Sequence, residues 1–264
     1  MSAPTNPSAA GQFRSGDTSP ASPAAPGGVA PPVDDGRIAR YRFAMYHVPG
    51  CRVVDIGCGD GQGSALLAAA GAEAVIGLEA PGPAFDALAA RYALPNFTFK
   101  PVHGLTLPLG DREADVVVCL DLLDQIEEPD VLLREVQRVL FFGGTAIFSV
   151  PNSAGVMRGL FGRIYQQQSR HGMYELQFMS LLDLHFARVQ LFGQVYQRSG
   201  DVDLAPPQAQ DQRTRARFSP PPTHAPRSAT VSAPQNQRAP TEGWVFIPRR
   251  AELAISLVAV CRSA

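Results

Sequence analysis

Residues 53–63 read VVDIGCGDGQG, an apolar run that ends in an aspartate and passes into glycines at alternate positions, Gly57, Gly59, Gly61 and Gly63. A stretch of helical composition, SALLAAAG (64–71), follows. No other segment constrains the fold so tightly. Glycine reaches positive φ without steric cost and lets the backbone approach a ligand closely. A strand, a glycine turn and a helix in succession are how an open parallel sheet meets a ligand beyond the carboxyl ends of its strands.

Three ligand classes compete for such a turn. A P-loop needs Lys-Ser/Thr after its last glycine, and residues 57–65 contain no lysine. A dinucleotide fingerprint, G-x-G-x-x-G, would need a glycine at 62, where the chain has Gln62. The pattern is instead Asp55, Gly57, Gly59, Gly61. An acid at 55 repels pyrophosphate and favours an ammonium-bearing ligand, directly or through water.

The flanking sequence alternates between strand-like and helix-like segments. RVVDI (52–56), AVIGLE (74–79), NFTFKPV (96–102), ADVVVCL (114–120), TAIFSVPN (145–152), ARVQLFGQ (187–194) and AELAISLVAVCR (251–262) read as strands. PAFDALAARYA (83–93), PDVLLREVQRVL (129–140) and a helical region ending in MSLLDLHF (179–186) read as helices, with Gly143-Gly144 closing the second. Continuous apolar strands between helices predict an α/β fold, a mostly parallel sheet covered on both faces. The last two strands lack an intervening helix, which predicts an antiparallel strand at or near one edge.

Composition bounds the rest. Of 264 residues, 45% are hydrophobic, enough for one core. Residues 1–35 and 201–242 are dominated by Pro, Ala and Ser with few large apolar side chains, and are expected to be disordered. That leaves a domain over 36–200 and 243–264. The net charge of −1 gives no field for nucleic acid or an anionic membrane, so neither is expected as a partner. Cys51, Cys58, Cys119 and Cys261 form no CxxC pair and read as buried thiols, with no metal site implied. The expected location is the cytoplasm. Nothing in the sequence specifies an oligomeric state.

V-D-I-G-C-G-D-G resembles motif I of the class I S-adenosylmethionine-dependent methyltransferases. Further stretches resemble that family in order. VIGLEA puts Glu79 where the family binds both ribose hydroxyls. LTLPLGDREADVVVCLDLLDQIEEPDVLLREVQRVLFFGGTAIFSVPN is similar to the family's segment from strand four to strand five. ARYRFAMYHVPG upstream and HGMYELQFMSLLDLHFARVQLFGQ downstream resemble members acting on sugars and small metabolites. The resemblance covers about 36–200 and 245–262. It implies a Rossmann-like seven-stranded sheet, S-adenosyl-L-methionine as cofactor, and in-line methyl transfer to a small-molecule or glycan-type acceptor, with a hydroxyl foremost.

The resemblance also implies a cofactor site from Tyr41, Asp55, Gly57, Cys58, Gly59, Gly61, Glu79, Ala80, His103, Gly104, Leu105 and Cys119. The family's aspartate after strand three falls in His103-Gly104-Leu105, and its Glu-His pair after strand four is Asp124-Gln125. Glutamine has no titratable proton near neutral pH, so it cannot act as that histidine would. Candidate bases are therefore His171 and Asp121, with Asp124 and Glu175 nearby. A surface histidine and a structural aspartate are the bland alternatives. Gln125, Leu105 and Phe142 motivate a rival reading, a catalytically inactive module that keeps the fold.

Overall fold

The computed structural model describes residues 33–82, 85, 88, 91–92, 94–154, 172–197, 243–248 and 254–263. Residues 1–32 and 201–242, most of the helix expected at 83–93, and His171 lie outside them.

The described chain runs α1 (Val33–Ala44), β1 (Arg52–Ile56), α2 (Gln62–Ala69), β2 (Ala74–Glu79), β3 (Phe97–Pro101), β4 (Ala114–Leu120), α3 (Pro129–Val139), β5 (Leu140–Pro151), α4 (Glu175–Asp183), β6 (Arg188–Gln197), β7 (Gly243–Pro248) and β8 (Ser256–Arg262). All described strands join one sheet in the order β3-β2-β1-β4-β5-β8-β6-β7. The first five in that order are mutually parallel, while β8 runs antiparallel to both β5 and β6. The fold is Rossmann-like. Strand order reverses between β1 and β4, and in open α/β sheets the crevice at the carboxyl edge of such a switch point is where ligands bind.

Successive residues of each central strand face opposite layers, and both layers are buried. Val54 and Ile56 join Leu132, Leu133, Phe148, Phe178 and Leu182 under α3 and α4. Val53 joins Tyr41, Leu67, Val75, Ile147 and Val258 under α1 and α2. This is why Val53-Val54 of β1 and Val116–Leu120 of β4 read as apolar on successive residues. Helix α3 starts with Pro129 in its first turn, with Asp130 beside it, and buries Leu132, Leu133, Val136 and Val139 as one stripe.

Three features depart from the sequence reading. Helix α1 starts at Val33, three residues inside the tract expected to be disordered. Gly143 and Gly144 do not close α3, because β5 begins at once with Leu140. The β4–β5 pairing steps from Ala114↔Leu140 to Val116↔Thr145, so the glycines lie in a bulge where Gly143 takes φ 70°. An eighth strand, β7 (GWVFIP), pairs antiparallel with β6 at the edge, and the final strand β8 lies near that edge, antiparallel as expected, between β5 and β6.

Candidate functional site

The turn after β1 is built as the sequence requires. Gly57, Gly59 and Gly61 take φ of 73°, 59° and 74°, left-handed conformations that L side chains rarely adopt. The Gly57 and Cys58 amides donate to the Leu78 carbonyl at 2.8 and 3.1 Å, which ties the turn to the end of β2. There Glu79, only 4% exposed, accepts the Gly59 N–H at Oε2 (2.7 Å) and its neighbour Ala80 N–H at Oε1 (3.0 Å). A carboxylate offers about four lone-pair sites. One therefore remains on each oxygen, which is what a vicinal diol needs.

Asp55 lies deeper than the sequence suggests. It is fully buried and accepts the Ser64 hydroxyl at 2.5 Å and the Tyr41 hydroxyl at 3.1 Å. Burial pushes its carboxyl up to about 6, against the pull of those two hydroxyls. The direct route from Asp55 to a ligand ammonium is thus closed in this arrangement. Its carboxylate instead pins α1 and α2 to the glycine turn. Burial, with Asp55 adding to it, also raises the Tyr41 phenol well above its usual range.

Helix α1 reaches the carboxyl edge with two faces. Arg37 and Tyr41, four residues apart, share one of them. Tyr41 reaches Asp55, and Arg37 pairs with Asp60 of the turn at 2.9 Å. The Arg37 Nη1 lies 3.1 Å from where a Cβ on Gly59 would stand. Gly36 and Arg40 share the other face. The Gly36 carbonyl accepts from Gln194, and Arg40, 3% exposed, donates to Gln194 at 2.6 Å and to Asp121.

Asp121 follows β4 with a left-handed φ of 53°. Its N–H donates to the Ser149 carbonyl at 2.9 Å, and its Oδ1 accepts the Ser149 hydroxyl at 2.8 Å. Gln125, in a 3-10 turn over Leu123–Gln125, donates its side-chain amide to the Asp121 carbonyl. The residue that replaces the family histidine therefore braces Asp121.

The remaining expected site residues scatter. Ala80 follows Glu79 at the crevice. His103 is exposed and Gly104 takes φ 67°, whereas Leu105 turns into the core. Cys58 and Cys119 are fully buried, and burial raises both thiols. Cys119 is paired in the sheet with Ile56 and Phe148, so its backbone is spent on the ladder and not turned to the crevice. Glu175 opens α4 as an exposed residue, and Asp124 is buried. Sequence reasoning missed Arg37, Ser64, Ser149, Gln194 and Ser256. The i, i+4 spacing of Arg37 and Tyr41 was a signal for the first; the others meet only through tertiary pairing.

Residues 54–148, which include the glycine turn, Glu79 and Asp121, match the methyltransferase domain family. Over this span the chain carries a methyltransferase domain. A probable S-adenosylmethionine-dependent methyltransferase of Mycolicibacterium smegmatis is 32% identical over 112 residues, which is 42% of each chain. A fatty-acid O-methyltransferase of the same organism is 29% identical over 124 residues, 44% of this chain and 45% of that protein. The chain thus spans less than half the length of these curated relatives. Among solved structures, a Thermotoga maritima protein described as a possible histamine N-methyltransferase superposes with TM-score 0.54 at 15% identity, covering 86% of this chain and 92% of that one. The YcgJ protein of Bacillus subtilis gives TM-score 0.54 at 14% identity, covering 85% and 98%. The methyltransferase domain shares their fold, and its cofactor class is S-adenosyl-L-methionine.

Proposed function

We propose that the chain is an S-adenosylmethionine-dependent methyltransferase that methylates a small-molecule or glycan-type acceptor, with oxygen as the acceptor atom. One observation carries this reading: Glu79 ends β2 against a left-handed glycine turn, with one lone pair free on each carboxylate oxygen. Glu79 would hold the ribose hydroxyls, and Gly57, Gly59 and Gly61 would admit the adenosyl backbone. His103 and Gly104 would flank the base end, Ala80 supports Glu79 through its N–H, and Arg37 would offer a cation for a ligand carboxylate.

When bound, the cofactor supplies an electrophilic methyl carbon on a sulfonium. The chain's own part is to hold the donor across the crevice, exclude water and bring the acceptor into line with that carbon. A hydroxyl acceptor needs its proton removed, and His171 is the residue proposed for it. The fatty-acid O-methyltransferase among its relatives supports an oxygen acceptor. Four free, buried cysteines support a reducing, cytoplasmic compartment.

Calorimetry with S-adenosylmethionine and S-adenosylhomocysteine tests the first step, followed by transfer of a labelled methyl group to hydroxylated small molecules, glycans and fatty acids. Gly59→Val adds a Cβ beside Arg37 at a left-handed backbone and is expected to abolish cofactor binding. Full affinity in that variant would place the site elsewhere. Cofactor binding without transfer to any acceptor would favour a binding module.

A further inference from the structure

We infer that the amino edge of the sheet, opposite the crevice, is a docking surface for a second copy of this chain, centred on Phe142 and Arg112.

The surface is made by the bulge that starts β5. Leu140 pairs with Ala114 of β4, and pairing resumes only at Thr145 opposite Val116, so Phe141 and Phe142 stand out of the ladder with the two glycines. Leu140 stays in the core, whereas Phe141 and Phe142 are 37% and 60% exposed. Their rings meet edge to face, with centroids 6.4 Å apart. Two adjoining aromatic rings left in water are unfavourable for an isolated chain, and an exposed apolar patch rimmed by polar groups marks a protein contact.

The bulge is firmly held. The Ser263 hydroxyl donates to the Phe141 carbonyl at 3.0 Å, and the Ser263 N–H donates to the Gly144 carbonyl at 3.1 Å. Arg262 donates to the Gly143 carbonyl at 2.9 Å. Facing the bulge, in the loop before β4, Arg112 takes a left-handed φ of 58° while its N–H donates to the Arg138 carbonyl at 2.9 Å. Its guanidinium lies over the Phe142 ring, 3.9 Å from the centroid. A non-glycine residue keeps such a backbone only where its neighbours hold it there. Beside the rings, a groove of about 280 Å³ reaches Gln137 near the end of α3. A platform fixed in this way loses little freedom on contact, and aromatic rings and arginine are the side chains that dominate the energy of protein interfaces.

Charge selects the partner. Arg138 is spent on Glu135 and Asp111. The consecutive, exposed Arg112 and Glu113 form no ion pair among the described residues. The patch thus offers one cation and one anion side by side. A partner of a single sign, such as a nucleic acid or an acidic peptide, would satisfy one and repel the other. The same surface on a second copy, turned about a two-fold axis, satisfies both, because Arg112 of each copy faces Glu113 of the other. The net charge of −1 leaves little repulsion between copies. A patch this small places the dimer in the weak, reversible class.

Sedimentation equilibrium of the full chain, from micromolar to near-millimolar concentration, tests this. The unaltered chain should show a reversible monomer–dimer equilibrium, and Phe142→Ser should weaken it about tenfold or more, as the loss of a central interface aromatic does. Arg112→Glu and Glu113→Arg each set like charges against one another across the axis, so each variant alone should also dimerise less. Mixed in equal amounts, the two variants regain both pairs, since one copy then carries two acids and the other two arginines. The mixture should therefore associate about as well as the unaltered chain. Mixing would not repair a folding defect. An unaltered chain that stays monomeric at the highest concentration, a dimer that Phe142→Ser leaves intact, or a mixture no more associated than its separate components would each overturn the proposal.

Discussion

The Tyr41 ring occupies the space where a Cβ on Gly63 would stand, with ring carbons 2.1 Å from that position. The fourth glycine of the alternating run is therefore a packing residue: it lets α1 lie against the start of α2 so that the Tyr41 hydroxyl reaches Asp55.

Gly63→Ala should consequently be severe. Its backbone is not left-handed, so the cost is steric, and the 2% exposed tyrosine has nowhere to turn. Overpacking of this kind costs about 1–3 kcal/mol, with the buried Asp55 left short of a donor besides. Urea unfolding should show a lower midpoint, and a second substitution, Tyr41→Ala, should relieve part of the loss. Gly63→Ala as stable as the unaltered chain would refute the contact.

Asp55 sets a pH dependence of definite sign. Its carboxyl is raised from 3.8 to about 6, so the folded state binds more protons than the unfolded one between those values. Its contribution is full below pH 3.8 and is lost as pH rises through 6, a change of about 3 kcal/mol at 1.36 kcal/mol per unit. Asp115 works in the opposite sense. Burial raises its carboxyl, but hydrogen bonds from the Arg52 side chain and N–H outweigh that and leave it lowered. Subtracting the stability curve of Asp55→Asn from that of the unaltered chain over pH 4–7 isolates the Asp55 slope. A difference that rises with pH would contradict the assignment.

How far the sequence revealed this molecule follows from the range of each interaction. β4 was readable to the residue because Val116–Leu120 is an unbroken apolar run behind Asp115, and buried strands announce themselves locally. β7 was not, since Gly243–Pro248 is short and pairs with β6 across a Pro-rich tract of more than forty residues. The glycine turn was legible because its φ requirement is local. The fate of Asp55 was not: whether an acid faces a ligand or a buried tyrosine depends on where α1 packs. The Arg40 cluster draws on α1, β4, β6 and β8, and no spacing rule joins residues 154 and 216 positions apart.

Glu79 should separate binding from folding. Glu79→Ala removes the two acceptors offered to a diol and the partner of the Gly59 N–H. Hydrogen bonds to a charged group are worth about 1.5–3 kcal/mol, so affinity for S-adenosylhomocysteine should fall roughly 10- to 100-fold. Glu79→Gln keeps one oxygen acceptor and should fall between the two. The measurement is calorimetric, and an unaltered affinity in Glu79→Ala would remove this residue from the site.

Gly143 gives the counterpart to Gly63, because there the backbone alone is at stake. It takes φ 70°, and a Cβ built on it meets nothing within 4 Å. Gly143→Ala should therefore cost only the left-handed penalty, about 1–2 kcal/mol, in the bulge at the amino end of β5. Gly143→Asn should recover part of it, since asparagine tolerates that conformation better than other side chains with a Cβ. Both variants lie at the sheet edge opposite the crevice, so affinity for S-adenosylhomocysteine should match that of the unaltered chain. Chemical denaturation and calorimetry on the same preparations read the two effects separately. A loss of affinity without a loss of stability at this position would mean that the two edges of the sheet are coupled.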